Sequence, residues 1–158
     1  MNIKIREARD GDSAGLVRLI DEIYAEYEGC VLDVENEVPE LKTPATSHAE
    51  AGGRLWVAES SGQVVGCVAL LPAGNGTMEL KKLYVSREAR RMGLGARLCS
   101  LVEVEARSRG AQSIELWSDT RFEDSHRLYE GRGYIRGPQT RELHDRSKSV
   151  EYHYKRAL

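Results

Sequence analysis

The run Arg90-Arg91-Met92-Gly93-Leu94-Gly95 places two glycines one residue apart, with two arginines ahead of them. Without a Cβ, glycine lets a backbone turn tightly and come close to another molecule. A helix pattern follows, with Leu94, Leu98, Leu101 and Val102 spaced i, i+4, i+7 and i+8. The first turn of such a helix carries unpaired N–H groups and the positive end of the dipole, which together attract an anion. Arg90 and Arg91 add charge beside it. The chemistry expected here is the holding of a phosphate. Two common phosphate loops do not fit. A nucleotide P-loop needs Lys-Ser/Thr after its last glycine, where Ala96-Arg97 stands. A dinucleotide loop needs a third small residue where Leu98 stands.

The elements around the loop must position it. Ahead of it, Leu80, Leu83, Tyr84 and Val85 in TMELKKLYV are apolar, β-favouring or both, and predict a strand that feeds the joint. From the N-terminus, Asn2 to Ala8 alternates as a first strand. Asp10-Gly-Asp-Ser offers an N-cap for a helix whose stripe is Leu16, Val17, Ile20, Ile23, Tyr24 and Tyr27, stopped by Gly29. A short helix is expected over Ala45–Ala51, then a hairpin of Arg54–Glu59 and Gln63–Leu71 around Ser60-Ser61-Gly62. After the loop helix, Ala111–Ser118 is a predicted strand and Phe122–Gly131 a helix. Tyr134-Ile135 opens another strand, and Ser149–Lys155 closes the chain as the last.

Composition narrows the classes. At 158 residues, 41% hydrophobic and 30% charged, the chain predicts one globular domain over 1–158. A net charge of −2 supplies no basic field for nucleic acid or anionic membrane. No apolar run reaches the roughly 20 residues of a membrane span, and MNIKIREARD has no signal-peptide core, so a cytoplasmic location is expected. Cys30, Cys67 and Cys99 lack metal-type spacing and are expected as reduced, packed thiols. His48, His126, His144 and His153 show no metal spacing either, so no metal is expected, and His126 is expected to face solvent. Arg121, Glu22, Glu26 and Glu28 are expected as solvated surface charge.

Arg-x-x-Gly-x-Gly, after a strand carrying Leu-Tyr-Val and before an amphipathic helix, resembles the acyl-CoA pyrophosphate loop of the GNAT superfamily of N-acyltransferases. Leu128-Tyr129-Glu130-Gly131-Arg132-Gly133-Tyr134 is similar to the leucine-tyrosine-x-x-x-glycine-aromatic signature of the same superfamily. The resemblance covers nearly the whole chain. It implies an α/β (α+β) GNAT fold: a mixed, mostly antiparallel twisted sheet of about six to seven strands, flanked by about four helices and splayed at the central strand.

The resemblance also implies an activity. Acetyl-CoA would donate an acetyl group to a primary amine of a small molecule or peptide, by direct attack in a ternary complex. Its pyrophosphate would lie on Arg90, Arg91, Met92, Gly93, Leu94, Gly95 and Ala96, and its pantetheine along Leu83, Tyr84 and Val85. Glu79 is the candidate base, with Asp119 as a reserve base or amine anchor, and Tyr129 the candidate acid. Many relatives carry Asn seven residues before the tyrosine; Phe122 stands there, and Ser125 is the substitute contact. The end of the first helix would wall the acceptor site, which brings in Tyr27. A homodimer is allowed. The reading from a different class is a non-catalytic acyl-CoA-binding regulatory or interaction domain on the same fold.

Overall fold

The computed structural model describes residues 1–158. Strands β1 (Lys4–Glu7), β2 (Arg54–Ser60), β3 (Gln63–Gly74), β4 (Thr77–Val85), β5 (Ser113–Asp119), β6 (Ile135–Glu142) and β7 (Val150–Ala157) form one sheet. Its spatial order is β1-β2-β3-β4-β5-β7-β6, and β4–β5 is the single parallel pair. Four helices accompany it: α1 (Ser13–Tyr24), α2 (Pro44–Glu50), α3 (Leu94–Ser108) and α4 (Glu123–Gly131). The expected mixed, mostly antiparallel sheet with four helices is therefore present.

Helices on both faces explain why β2 and β3 are apolar almost throughout instead of alternating. Val65, Gly66, Cys67, Val68, Ala69 and Leu70 are all buried, because each face of β3 meets a core. On one face Leu16, Leu19, Ile20 and Ile23 of α1, at helical spacing, pack with Val57, Val64, Cys67 and Ala69. On the other, Leu94, Leu98, Cys99, Val102 and Ala106 of α3 pack with Val68, Leu70, Met78, Leu80 and Ile114.

Two local expectations change. Asp12, at the N-cap of α1, does not cap it; its carboxylate takes a bidentate pair of hydrogen bonds from Arg6, at 2.8 and 2.9 Å. Asp10 caps a different helix, accepting from the Thr46 amide in the first turn of α2 at 2.9 Å. The second change is the end of α1 at Tyr24, before Tyr27. There the backbone tightens to i→i+3 bonding, with Glu26 N–H to Ile23 O and Tyr27 N–H to Tyr24 O, both 3.0 Å. Tyr27 consequently turns toward Phe122 at the start of α4, ring centroids 4.9 Å apart.

β4 is the strand the site depends on. Its register against β3 runs Ala69↔Lys81 and then Cys67↔Tyr84, so β4 carries one extra residue, a β-bulge. Lys82 sits in it at φ +54°, a left-handed conformation that costs a non-glycine residue free energy. Its ammonium is held by Glu40 at 2.7 Å. The bulge exchanges the faces of the strand. Met78 and Leu80 belong to the α3 core; beyond the bulge Leu83 and Val85 face that core and Tyr84 faces α1.

A buried charge cluster pins α3 to the last strands. Glu103 is 3% exposed and receives Arg132 at 2.5 Å, Arg156 at 3.0 Å and the Tyr134 hydroxyl at 3.0 Å. Burial pushes its carboxyl up, but the hydrogen bonds from Arg132 and Tyr134 and the two arginine charges outweigh that and hold it low. A depressed carboxylate contributes stability in full above its unfolded pKa of about 4.3, and that contribution is lost as pH falls through the folded value. Glu103→Ala leaves two partly buried arginines without their carboxylate and the buried Tyr134 hydroxyl without its acceptor. Urea unfolding at pH 7 should show a loss of about 3–5 kcal/mol; a loss below about 1 kcal/mol would mean that solvent already compensates the pair.

Candidate active site

β4 and β5 pair only at Thr77↔Ser113, Met78↔Ile114 and Glu79↔Glu115. Beyond those residues the strands part while β4 stays paired to β3 as far as Val85. One edge of β4 thus lacks a neighbouring strand from Leu80 onward. Two cavities open along this gap and share Leu83, Tyr84, Phe122 and Ser125 in their walls.

The cavity on the α3 side has a volume of about 410 Å³. Leu83, Tyr84, Val85, Arg90, Arg91, Gly93, Leu94, Gly95 and Ala96 line it, with Ser125 and Leu128 of α4 opposite. Gly93 is the N-cap of α3 at φ +75°, and no side chain caps the helix, so its first amides open toward the cavity. A Cβ on Gly95 would stand 3.1 Å from Leu128 Cδ2, so a larger side chain there would push α4. Arg91 also adopts the left-handed region, φ +61°, to make the turn.

Arg90 does something the motif does not announce. Its guanidinium grips Glu26 in a fork, at 2.6 and 2.7 Å, and its Nε donates to Val85 O at 3.1 Å. The Arg90 hydrogen bond is the main cause holding the Glu26 carboxyl below its ordinary range. Glu26 is therefore not the solvated charge expected of it. The pair ties the end of α1 to the glycine loop.

The second cavity, about 400 Å³, lies between the diverging strands and beneath two loops, residues 25–43 and 143–149. Tyr24, Cys30, Lys81, Trp117, Asp119, Tyr129 and Asp145 stand in its wall. Tyr24 and Tyr84 share a hydroxyl–hydroxyl hydrogen bond of 3.0 Å where the two cavities meet. Asp119 is 7% exposed and takes the Arg121 backbone N–H and Nε on one oxygen, Oδ1, at 2.9 and 3.1 Å. Tyr129 is 5% exposed among Tyr134 and Tyr154, and burial pushes its phenol well above the ordinary tyrosine value. It keeps its proton and serves best as a hydrogen-bond donor.

Three of the residues named from sequence lie outside both walls. Glu79 sits in the paired part of β4, across from Leu71 and Glu115. Met92 is 45% exposed on the outer side of the glycine turn. Tyr27 backs Phe122 instead of lining a cavity. His126, expected to face solvent, does not. It is 5% exposed, and Nε2 lies 3.0 Å from Asp119 O and 3.2 Å from Ser118 Oγ. Its neighbours Tyr152 and Tyr154 explain the burial, since the turn of α4 that carries it rests on β7.

Residues 17–134 match the acetyltransferase (GNAT) family. With that match on this sheet and this glycine turn, the chain belongs to the GNAT acetyltransferase family. It is 37% identical over 93 residues to N-acetyltransferase family 8 member 2 of Rattus norvegicus, across 56% of this chain and 41% of that protein. The match therefore spans less than half of the rat protein's length. A GNAT-family acetyltransferase of Staphylococcus aureus Mu50 superposes with a TM-score of 0.84 at 22% identity, covering 99% of both chains. The yncA protein of Salmonella typhimurium, solved with its cofactor acetyl-CoA, superposes with a TM-score of 0.74 at 19% identity, over 100% of this chain and 95% of that one.

His126 supplies a measurable pH effect. Burial lowers its pKa below the usual value near 6.5, and so does burial of His48, so both stay neutral in the fold. The unfolded chain takes up these protons first. Their contribution is complete above about pH 6.5 and lost as pH falls through the folded values, at no more than about 1.4 kcal/mol per pH unit each. The unfolding free energy should fall from pH 7 to pH 5.5, with a shallower slope in His126→Asn. An unchanged slope in that variant would show that His126 is charged or wet in the fold.

Proposed function

We propose that the chain transfers an acetyl group from acetyl-CoA to a primary amine of a small molecule or peptide, by direct attack in a ternary complex. The observation that carries this reading is the meeting of two cavities at Leu83 and Tyr84. One ends on uncapped helix amides, and the other holds a buried carboxylate and a protonated phenol.

The residues fit the donor. The amides of Leu94, Gly95 and Ala96 and the Arg91 side chain would hold the pyrophosphate, and the absence of a Cβ on Gly95 leaves room beside Leu128. The open edge of β4 at Leu83–Val85 offers backbone groups to the amides of the pantetheine arm, as another strand would. Phe122 and Ser125 flank that path from α4. The thioester would then lie where the cavities join, within reach of an amine entering from the other side.

In the reaction the amine nitrogen bonds to the acyl carbon, the carbon–sulfur bond breaks, and the amine loses its proton. An alkylammonium of pKa about 10.4 must first become neutral, which costs about 4–5 kcal/mol at pH 7. Asp119 lines the acceptor cavity and is the carboxylate we assign to receive that proton; Glu79, in the paired segment of β4, is assigned a place in the strand rather than the base. The Tyr129 hydroxyl donates a hydrogen bond to the departing thiolate. With burial raising its pKa, it steadies the sulfur charge more than it surrenders a proton.

The test is an acceptor screen with acetyl-CoA, reading thiol release across polyamines, amino acids, aminoalkylphosphonates, aminoglycosides and peptides. At least one amine should be acetylated. If acetyl-CoA binds and no amine of any class reacts, the chain is a non-catalytic acyl-CoA-binding domain.

Gly95→Val should weaken acetyl-CoA binding at least tenfold in calorimetry, in a variant that keeps its circular dichroism; unchanged affinity would move the pyrophosphate off this turn. Asp119→Asn should lose activity at neutral pH and approach wild type at high pH, where more of the amine is already neutral. Glu79→Gln should run parallel to wild type. Convergence in Glu79→Gln alone would transfer the base to β4.

A further inference from the structure

Arg121, expected as plain surface charge, has every arm of its guanidinium committed. Nε donates to Asp119 Oδ1 at 3.1 Å, Nη1 to Glu28 O at 3.3 Å and to Cys30 Sγ at 3.1 Å, and Nη2 to Ser147 O at 2.6 Å. These partners belong to three separate pieces of chain: the end of β5, the loop after α1, and the loop between β6 and β7. The two loops also meet directly, Val31 N–H donating to Ser147 Oγ at 2.8 Å and Ser147 Oγ to Val31 O at 3.1 Å. Nearby, the Arg146 N–H donates to Glu37 at 2.9 Å. Cys30, Glu37, Asp119 and Ser147 all line the acceptor-side cavity.

We infer that Arg121 is a positioning residue for the acceptor: one side chain closes both loops over the cavity and turns Asp119 so that its second oxygen, Oδ2, faces the incoming amine. The inference rests on the acetyltransferase reading above and adds to it the residue that assembles the acceptor wall. The chemistry favours arginine. Its planar fork presents five donors in fixed directions and can reach a carboxylate, two carbonyls and a thiol at once. A lysine ammonium has three donors on one atom and cannot span those partners. Holding Asp119 on one oxygen alone also leaves the other free to accept, which bidentate pairing would prevent.

Cys30 makes the wall measurable without a known acceptor. Cys67 and Cys99 are fully buried, so Cys30, half-buried and bonded to Arg121, is the thiol that N-ethylmaleimide can reach. In Arg121→Ala the loops should release Cys30, and its labelling, followed by peptide mass spectrometry, should run at least tenfold faster than in wild type. The calorimetric affinity for acetyl-CoA should stay close to wild type, because Arg121 does not line the donor-side cavity. Arg121→Lys should label like Arg121→Ala, and it carries the same test if the alanine variant does not fold. Labelling within twofold of wild type in a folded variant would overturn the inference. With the amine that turns over fastest in the screen, KM for that amine should rise at least tenfold and KM for acetyl-CoA less than threefold. An equal rise in both, or in neither, would make Arg121 a structural residue only. If no amine reacts, the acetyltransferase reading fails, and the labelling rates alone decide whether Arg121 builds the wall.

Discussion

The early parting of β4 from β5 is the constraint on which the rest of this structure depends. Three residues of parallel pairing hold the strands together at Thr77–Glu79, and the extra residue at Lys82 then twists β4 away. A left-handed lysine inside a strand is costly, and the Glu40 ion pair, with the lysine side chain only 10% exposed, offsets part of that cost. The gap leaves backbone groups of β4 without a strand partner in the middle of a sheet. Elsewhere this would be a defect; beside a helix N-terminus it becomes a groove that an extended, amide-bearing ligand can enter.

The groove keeps its shape through side-chain pairs far apart in sequence. Arg90 and Glu26 hold the glycine turn to α1, Lys82 and Glu40 hold the bulge to the loop before α2, and Arg121 gathers two loops at the end of β5. These pairs are only partly exposed, so they are screened less than surface pairs, and the Arg90–Glu26 pair adds forked, charge-assisted geometry. The loops that wall the second cavity are therefore fixed to the same frame as the groove along β4.

Phe122 marks where this chain differs from the pattern it resembles. The phenyl ring packs on Tyr27 and approaches Tyr24, and it forms wall for both cavities. Together with Tyr84, these rings make an aromatic partition at the junction. Contact there rests on shape and exclusion of water, with the Tyr24–Tyr84 hydroxyl pair as its polar point.

The order of strands and helices was legible because each depends on local pattern: helical spacing in α1 and α3, apolar runs in β2 and β3, glycine at the turn before α3. The family likewise showed in two short motifs, since the tasks they serve, turning a backbone tightly and packing a tyrosine helix, are set by neighbouring residues. What the sequence could not determine alone is which charges meet. Glu26, Glu103 and Arg121 are indistinguishable in pattern from solvated residues, yet each is committed to partners brought close only by the folded chain. The burial of His126 and the displacement of Glu79 from the cavity walls have the same origin. Side-chain type and spacing act within a few residues, whereas ion pairs and cavity walls are assembled across strands, so tertiary structure alone decided them.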